Sequence, residues 1–101
     1  MAATAATDMH TIRQQMIEAL RQEELDALEL SGLLGIPERE VYNHLPHLAR
    51  TLAAAGMTLR ISPYRCLSCQ YTFTDRGRFD RPSRCPRCRK SHIRLATYTI
   101  D

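Results

Sequence analysis

Cys66 and Cys69 are separated by two residues, Cys85 and Cys88 repeat that gap, and fifteen residues lie between the pairs. These four are all the cysteines in a chain of 101 residues. The two-residue gaps let a tight turn aim both sulfurs of a pair at one point, and the long gap lets a hairpin bring the second pair back. That is the layout of a tetrahedral four-thiolate zinc site. Such a site has no vacant position for a catalytic water, so the ion it implies is structural. The competing reading is two disulfides. A redox Cys-x-x-Cys is disfavoured because the βαβ setting of thioredoxin-like motifs is missing.

One detail resists the pattern. Knuckle turns often place glycine after the second cysteine, where φ is frequently positive, and here Gln70 and Arg89 stand there. His92 lies close enough in sequence to substitute as a ligand, but with four thiolates at hand it reads as a surface residue.

The flanks supply a hairpin. Thr58 to Ile61 and Tyr71 to Thr74 alternate as strands do, Ile93 to Ile100 reads as a long β-rich run, and Asp75-Arg76-Gly77 offers a turn. Three short strands around two cysteine turns make a zinc ribbon. A chain this short holds one ordinary domain or two small ones sharing a core, and small units often need a metal staple.

The other half has no cysteine and is acidic. Residues 1–56 carry four arginines against eight acids, a net −4, while residues 57–101 carry nine arginines and Lys90 against three acids, a net +7. Four thiolates on one Zn²⁺ would lower the second figure to +5, still basic. Arginine outnumbers lysine thirteen to one, which fits either forked phosphate contacts or a codon-composition bias.

Three helices are legible in the acidic half. Thr11-Ile12-Arg13-Gln14 fits a capping box, and Ile12, Met16, Ile17 and Leu20 form one stripe, so a helix is expected over about 11–22. Asp26-Ala27-Leu28-Glu29 opens a second, short helix carrying Leu30, Leu33 and Leu34 and stopping at Gly35. Pro37 suits the first position of a third helix, with Glu38 and Glu40 in its first turn. Val41, Leu45, Leu48 and Leu52 point to the core together. Pro46 falls inside that pattern and predicts a kink or a break. The opposite face carries Arg39, Asn43, Pro46, His47 and Arg50. His44 and His47 are three apart and could share a metal, though His44 reads as bordering the core.

Helix, glycine-centred turn, helix and then a strand is the order of a winged helix-turn-helix. The stretch LELSGLLGIPEREVYNHLPHLAR resembles the helix-turn-helix of ArsR-like regulators, with Ser31 at the usual small position, Gly35 at the turn, and Val41 and Leu45 at the buried positions. Together with HLARTL, YRC and RPSRCPRC, the order of parts resembles a family of predicted transcriptional regulators in which a winged helix-turn-helix is fused to a zinc ribbon. The resemblance runs over roughly residues 11–100 and implies DNA-binding transcriptional control.

The expected fold class is α+β: a lead-in at 1–10, expected to be disordered, a three-helix winged helix-turn-helix at 11–62, and a three-stranded zinc ribbon with the closing wing strand at 63–101. One structural zinc is expected on Cys66, Cys69, Cys85 and Cys88. Double-stranded DNA is the expected partner. Arg39, Asn43, His47 and Arg50 would face bases, since Asn can pair with adenine and Arg with guanine. Arg76, Arg78, Arg81 and Arg84 would lie along the backbone, making good what the acidic half lacks. Without the helix-turn-helix context, the exposed face of the third helix would read as a plain solvated surface. The alternative function is a module that docks on a protein of a transcription or enzyme complex, or on RNA. A homodimer is also open, as the ArsR-like resemblance suggests one. No catalytic motif is found, so no enzyme is expected. No apolar run could span a membrane, and MAATAATDMH lacks the features of a secretory signal, so the expected location is the cytoplasm.

Overall fold

The structure is a computed structural model and describes residues 9–74 and 78–101. The lead-in over 1–8, the Asp75-Arg76-Gly77 turn and the candidate contact Arg76 lie outside the described residues.

Helix α1 spans Met9–Gln22. Ile12, Met16 and Leu20 are buried along one side, as the stripe predicts. Thr11 does not cap it, because the helix has already begun two residues earlier. A two-residue strand, β1 (Leu25–Asp26), leads directly into α2 (Ala27–Leu34). Asp26 caps α2: its carboxylate accepts from the Glu29 N–H, and the Glu29 carboxylate accepts from the Asp26 N–H, both at 2.8 Å. This reciprocal box satisfies donors that a helix start leaves orphaned.

Gly35 ends α2 at φ 69°, a left-handed conformation in which glycine avoids the Cβ penalty. Its N–H donates to the Ser31 carbonyl at 2.9 Å, and the Ser31 hydroxyl donates to the carbonyl of Ile36 at 2.5 Å. The turn between α2 and α3 is therefore tied at both ends by Ser31.

Helix α3 spans Glu38–Ala54, with Pro37 at the N-cap rather than at the first helical position. Val41, His44, Leu45, Leu48 and Leu52 are buried. Each fully buried aliphatic side chain contributes about 1.5–3 kcal/mol, and this row is what docks α3 on α1 and α2. Pro46 does not break the helix, which runs through it. Pro46 is exposed and borders an open groove with Tyr42, so the proline that deprives the Tyr42 carbonyl of its donor sits on the solvent side of the helix.

The remaining strands are β2 (Leu59–Ser62), β3 (Arg65–Cys66), β4 (Ile93–Arg94) and β5 (Thr97–Ile100). β5 lies between β1 and β2 and is antiparallel to both. Tyr98 faces Leu25 on one side and Ile61 on the other, and it is fully buried in the core beneath the helices. The run expected over 93–100 is thus two strands in two sheets. It leaves β3 after Arg94 and joins the wing at Thr97. The strand expected over 71–74 shrinks to a single bridge, Arg65 to Thr72. The reason is local: β3 turns into the first cysteine knuckle at Cys66, so it has little edge left to pair.

The result is an α+β fold, three helices with a small sheet followed by a C-terminal β hairpin carrying a four-cysteine cluster in the manner of a zinc ribbon. The ribbon, residues 63–96, is inserted between two paired strands of the sheet, where a wing tip would be. Among the described residues no helix is long and apolar enough to cross a membrane.

Candidate metal centre and nucleic-acid interface

Two turns of the same construction hold the cysteines. The Cys66 N–H donates to the Tyr71 carbonyl and the Gln70 N–H donates to the Cys66 carbonyl, at 2.8 and 2.9 Å. Cys85, Arg89 and Lys90 repeat both bonds at the same offsets and the same lengths. Gln70 and Arg89 have φ of 70° and 66°. The positions where glycine was missing are therefore the left-handed ones, adopted by residues with a Cβ.

The four sulfurs lie within 4.8 Å of one another. Cys66 and Cys88 are 3.5 Å apart, Cys69 and Cys85 are 3.6 Å apart, and none is in a disulfide. A tetrahedral thiolate site with Zn–S near 2.3 Å requires sulfurs about 3.8 Å apart, so the cluster fits one such ion. His92 is exposed and outside it.

The electrostatics also call for a cation. Burial pushes the Cys66 thiol up, but the N–H groups of Cys69 and Ser68 outweigh it and bring it down to about 6. The N–H of Tyr71 favours the Cys69 thiolate, yet burial and the neighbouring sulfurs push that thiol up to about 11. Four thiolates this close cannot coexist without a positive charge among them. Cys66 and Cys85 are buried and the other two half-buried, so the protein supplies a shielded four-sulfur cage for one metal ion.

Twenty residues and more from the helical half in sequence, the ribbon reaches back to α3. Arg81 grips Glu38 with both prongs, its Nε and Nη2 donating to the two carboxylate oxygens at 2.8–3.0 Å. The Tyr42 hydroxyl donates to the same carboxylate at 2.5 Å. Burial pushes the Glu38 carboxyl up, but these donors prevail and hold it below the usual carboxylate range. Burial, and then the carboxylate it donates to, push the Tyr42 phenol well above its ordinary range. This three-residue latch was not legible in the sequence, since its partners are 43 positions apart.

Arg39, Asn43, His47 and Arg50 are all exposed along α3, opposite its buried row. His47 Nδ1 and Arg50 Nη2 lie 3.0 Å apart. His44 is buried, and its Nδ1 accepts from Arg13 Nε at 3.1 Å, so it does not pair with His47 on a metal. Burial first, and the Arg13 charge second, hold His44 below the usual imidazole range. Among the ribbon arginines, Arg78 and Arg84 are exposed, whereas Arg81 is engaged with Glu38.

The helical half also matches a known family: residues 11–60 fit the one described as PF0610-like, N-terminal. The matched stretch runs from α1 into β2, and it contains all of α3 and none of the cysteines. The likeness to a solved structure reaches further. Protein PF0610 from Pyrococcus furiosus, determined by solution NMR, superposes with a TM-score of 0.78 at 25% identity, over 91% of this chain and 90% of that one. Among curated proteins, none matches. The helical half and the ribbon together therefore make a winged-helix-like fold with a four-cysteine cluster in its wing.

Proposed function

We propose that the protein is a transcriptional regulator that binds double-stranded DNA, with α3 in the major groove and a zinc-loaded ribbon beside it. The observation that carries this is the division of α3. One face is sealed into the core by Val41, Leu45, Leu48 and Leu52, and the other presents Arg39, Asn43, His47 and Arg50, all exposed. In a helix-turn-helix, that outer face is the one that meets base edges.

Charge supports the same reading. The acidic helical half cannot attract phosphates alone, but Glu38, the acid at the start of α3, is already matched by Arg81. Arg78 and Arg84 stay exposed for the backbone, with Arg76 beside them in sequence. Zinc suits four thiolates better than harder cations do. Metal analysis should find one zinc per chain, lost in Cys85→Ser.

A gel-shift series over genomic fragments at several salt concentrations tests the DNA reading. Asn43→Ala should cost about 1–3 kcal/mol on the preferred site and little on random duplex. If no duplex is bound at low salt, or Asn43→Ala binds as the wild type does, α3 is not a reading head. One observation favours a second reading, docking on a protein. Leu33 is 62% exposed and borders a groove between α1 and α2 with Ile17 and Leu34. Under that reading Leu33→Glu, and not Asn43→Ala, would abolish activity in the cell.

A further inference from the structure

The ribbon carries a cleft whose ring and walls the duplex reading does not use, although its two arginines are the ones that reading places on the DNA backbone. Tyr71, Phe73, Pro82 and Pro86 line it, with Arg78 and Arg84 at its sides, and it encloses about 300 Å³. Three rings lead into it in series. Tyr64 is buried and meets Phe73 edge-on at 6.5 Å, and Phe73 meets Tyr71 edge-on at 5.0 Å and 82°. Phe73 packs on the core, but Tyr71 does not. Tyr71 is half-buried and lines the cleft, so it is an aromatic ring braced by Phe73 at the wall of an open site.

The surroundings fit one chemistry. Arg84 is exposed, and the side chain of Arg78 is 72% exposed, with its one ion pair among the described residues to Asp80 at 3.6 Å. Two unsaturated guanidiniums beside an aromatic ring match a nucleotide: the base stacks and the flanking phosphates meet the arginines. The prolines make the walls rigid, so little ordering entropy opposes binding. A base inside a duplex cannot reach such a ring, because it is held in its own stack.

We propose that this cleft binds one unpaired nucleotide of a single-stranded nucleic acid, the base against Tyr71 and the adjoining phosphates on Arg78 and Arg84. It is a second site, on the ribbon, whose ring lies apart from the outer face of α3, although Arg78 also borders the groove beside Arg39 and Asn43. The probes are fluorescein-labelled oligo(dT) and oligo(U) of about ten nucleotides, titrated with the zinc-loaded full chain at low salt. One or both should bind, and the arm that binds more tightly identifies DNA or RNA as the source of the strand. The chain has four tyrosines and no tryptophan, so quenching of tyrosine emission by an unlabelled oligonucleotide reports stacking directly.

Tyr71→Ala should weaken binding roughly five- to a hundredfold, and Tyr71→Phe should restore it. Arg84→Gln should flatten the dependence of log affinity on log salt by about 0.7. Zinc content and the NMR spectrum establish that each variant is folded, and Tyr71→Leu, which keeps apolar bulk, replaces the alanine variant if that one is not. Asn43→Ala should leave single-strand binding unchanged, so this site can stand if the duplex reading falls, and the reverse. The proposal is overturned if neither oligonucleotide binds, or if folded Tyr71 variants bind as the wild type does. In the second case the arginines form a general anion patch.

Discussion

Gln70 and Arg89 take the backbone through the left-handed region at the fourth residue after the first cysteine of each knuckle. A side chain there crowds the following carbonyl and costs about 1–2 kcal/mol. Asparagine tolerates this region without the extra unfolded-state freedom of glycine. Gln70→Asn and Arg89→Asn should each raise the stability of the zinc-bound protein by about 0.5–1 kcal/mol, and Gln70→Val should lower it. Urea midpoints of the zinc-loaded variants check both directions. The sequence marks these two positions as anomalous, because the spacing identifies the cysteines and hence the residue that follows. It does not say whether the backbone or the rule gives way, since φ belongs to the closed turn. His44 makes a second case at this scale. Its folded pKa lies below the ordinary 6.5, so the unfolded chain takes up the proton first. The contribution of neutral His44 to stability is therefore complete above pH 6.5 and is lost as pH falls through the depressed folded value. Wild type should lose more stability than His44→Gln between about pH 7.5 and about pH 5.5. Equal losses would mean that the thiolates account for the whole acid sensitivity.

Helix α3 belongs to two units at once, and the latch at its first turn joins them. Its buried row was legible, because apolar residues at spacings of four and three can only face one way. Its continuity through Pro46 was not, because the penalty for proline depends on whether the deserted carbonyl meets water. Arg81 shows the same boundary. As a sequence feature it is one more arginine in a basic loop, and only the fold reveals that it is matched to Glu38. The pair is partly exposed, with side chains 45% and 26% accessible, so its worth must be discounted for solvent. A bidentate pair of this kind should show a coupling of about 1 kcal/mol. A double-mutant cycle with Glu38→Gln and Arg81→Met, read by urea unfolding of the zinc-bound protein, measures it. Additive losses would mean that the latch holds nothing. If α3 reads DNA, a further sign follows. Arg81→Met alone leaves Glu38 bare beside the phosphates and should weaken duplex binding more than the double variant does.

At the scale of the whole molecule, the ribbon is an insertion whose two ends are held by other elements. β2 and β5 pair from Leu59 with Ile100 to Ser62 with Thr97, and β1 holds β5 from its other edge. The Arg60 guanidinium meets Asp101 at 2.6 Å at the far end of the same pair. This closure rests on Tyr98, buried among α1, α2 and α3, and it needs no metal. Among its described residues the ribbon has no comparable core of its own. Its buried side chains among the described residues are Tyr64, Cys66, Pro82, Cys85 and Ala96, and two of those belong to the four-cysteine cluster. Binding of a structural zinc is worth on the order of 10 kcal/mol to such a unit. Chelation should therefore unfold residues 64–94 and leave α1, α2, α3 and the β1-β5-β2 sheet in place. The helices should not be indifferent, however. With the ribbon unfolded, the sheet closes a long flexible loop, at a cost of roughly 3 kcal/mol, and the contact of Phe79 with Tyr98 at 6.1 Å is lost. Amide signals of the helices should thus persist after chelation while their urea midpoint falls by an amount equivalent to about 3 kcal/mol. Loss of every amide signal together would show that Tyr64, Phe79 and Tyr98 bind the two parts into one cooperative core. An unchanged midpoint would show that the ribbon is attached to the sheet without loading it.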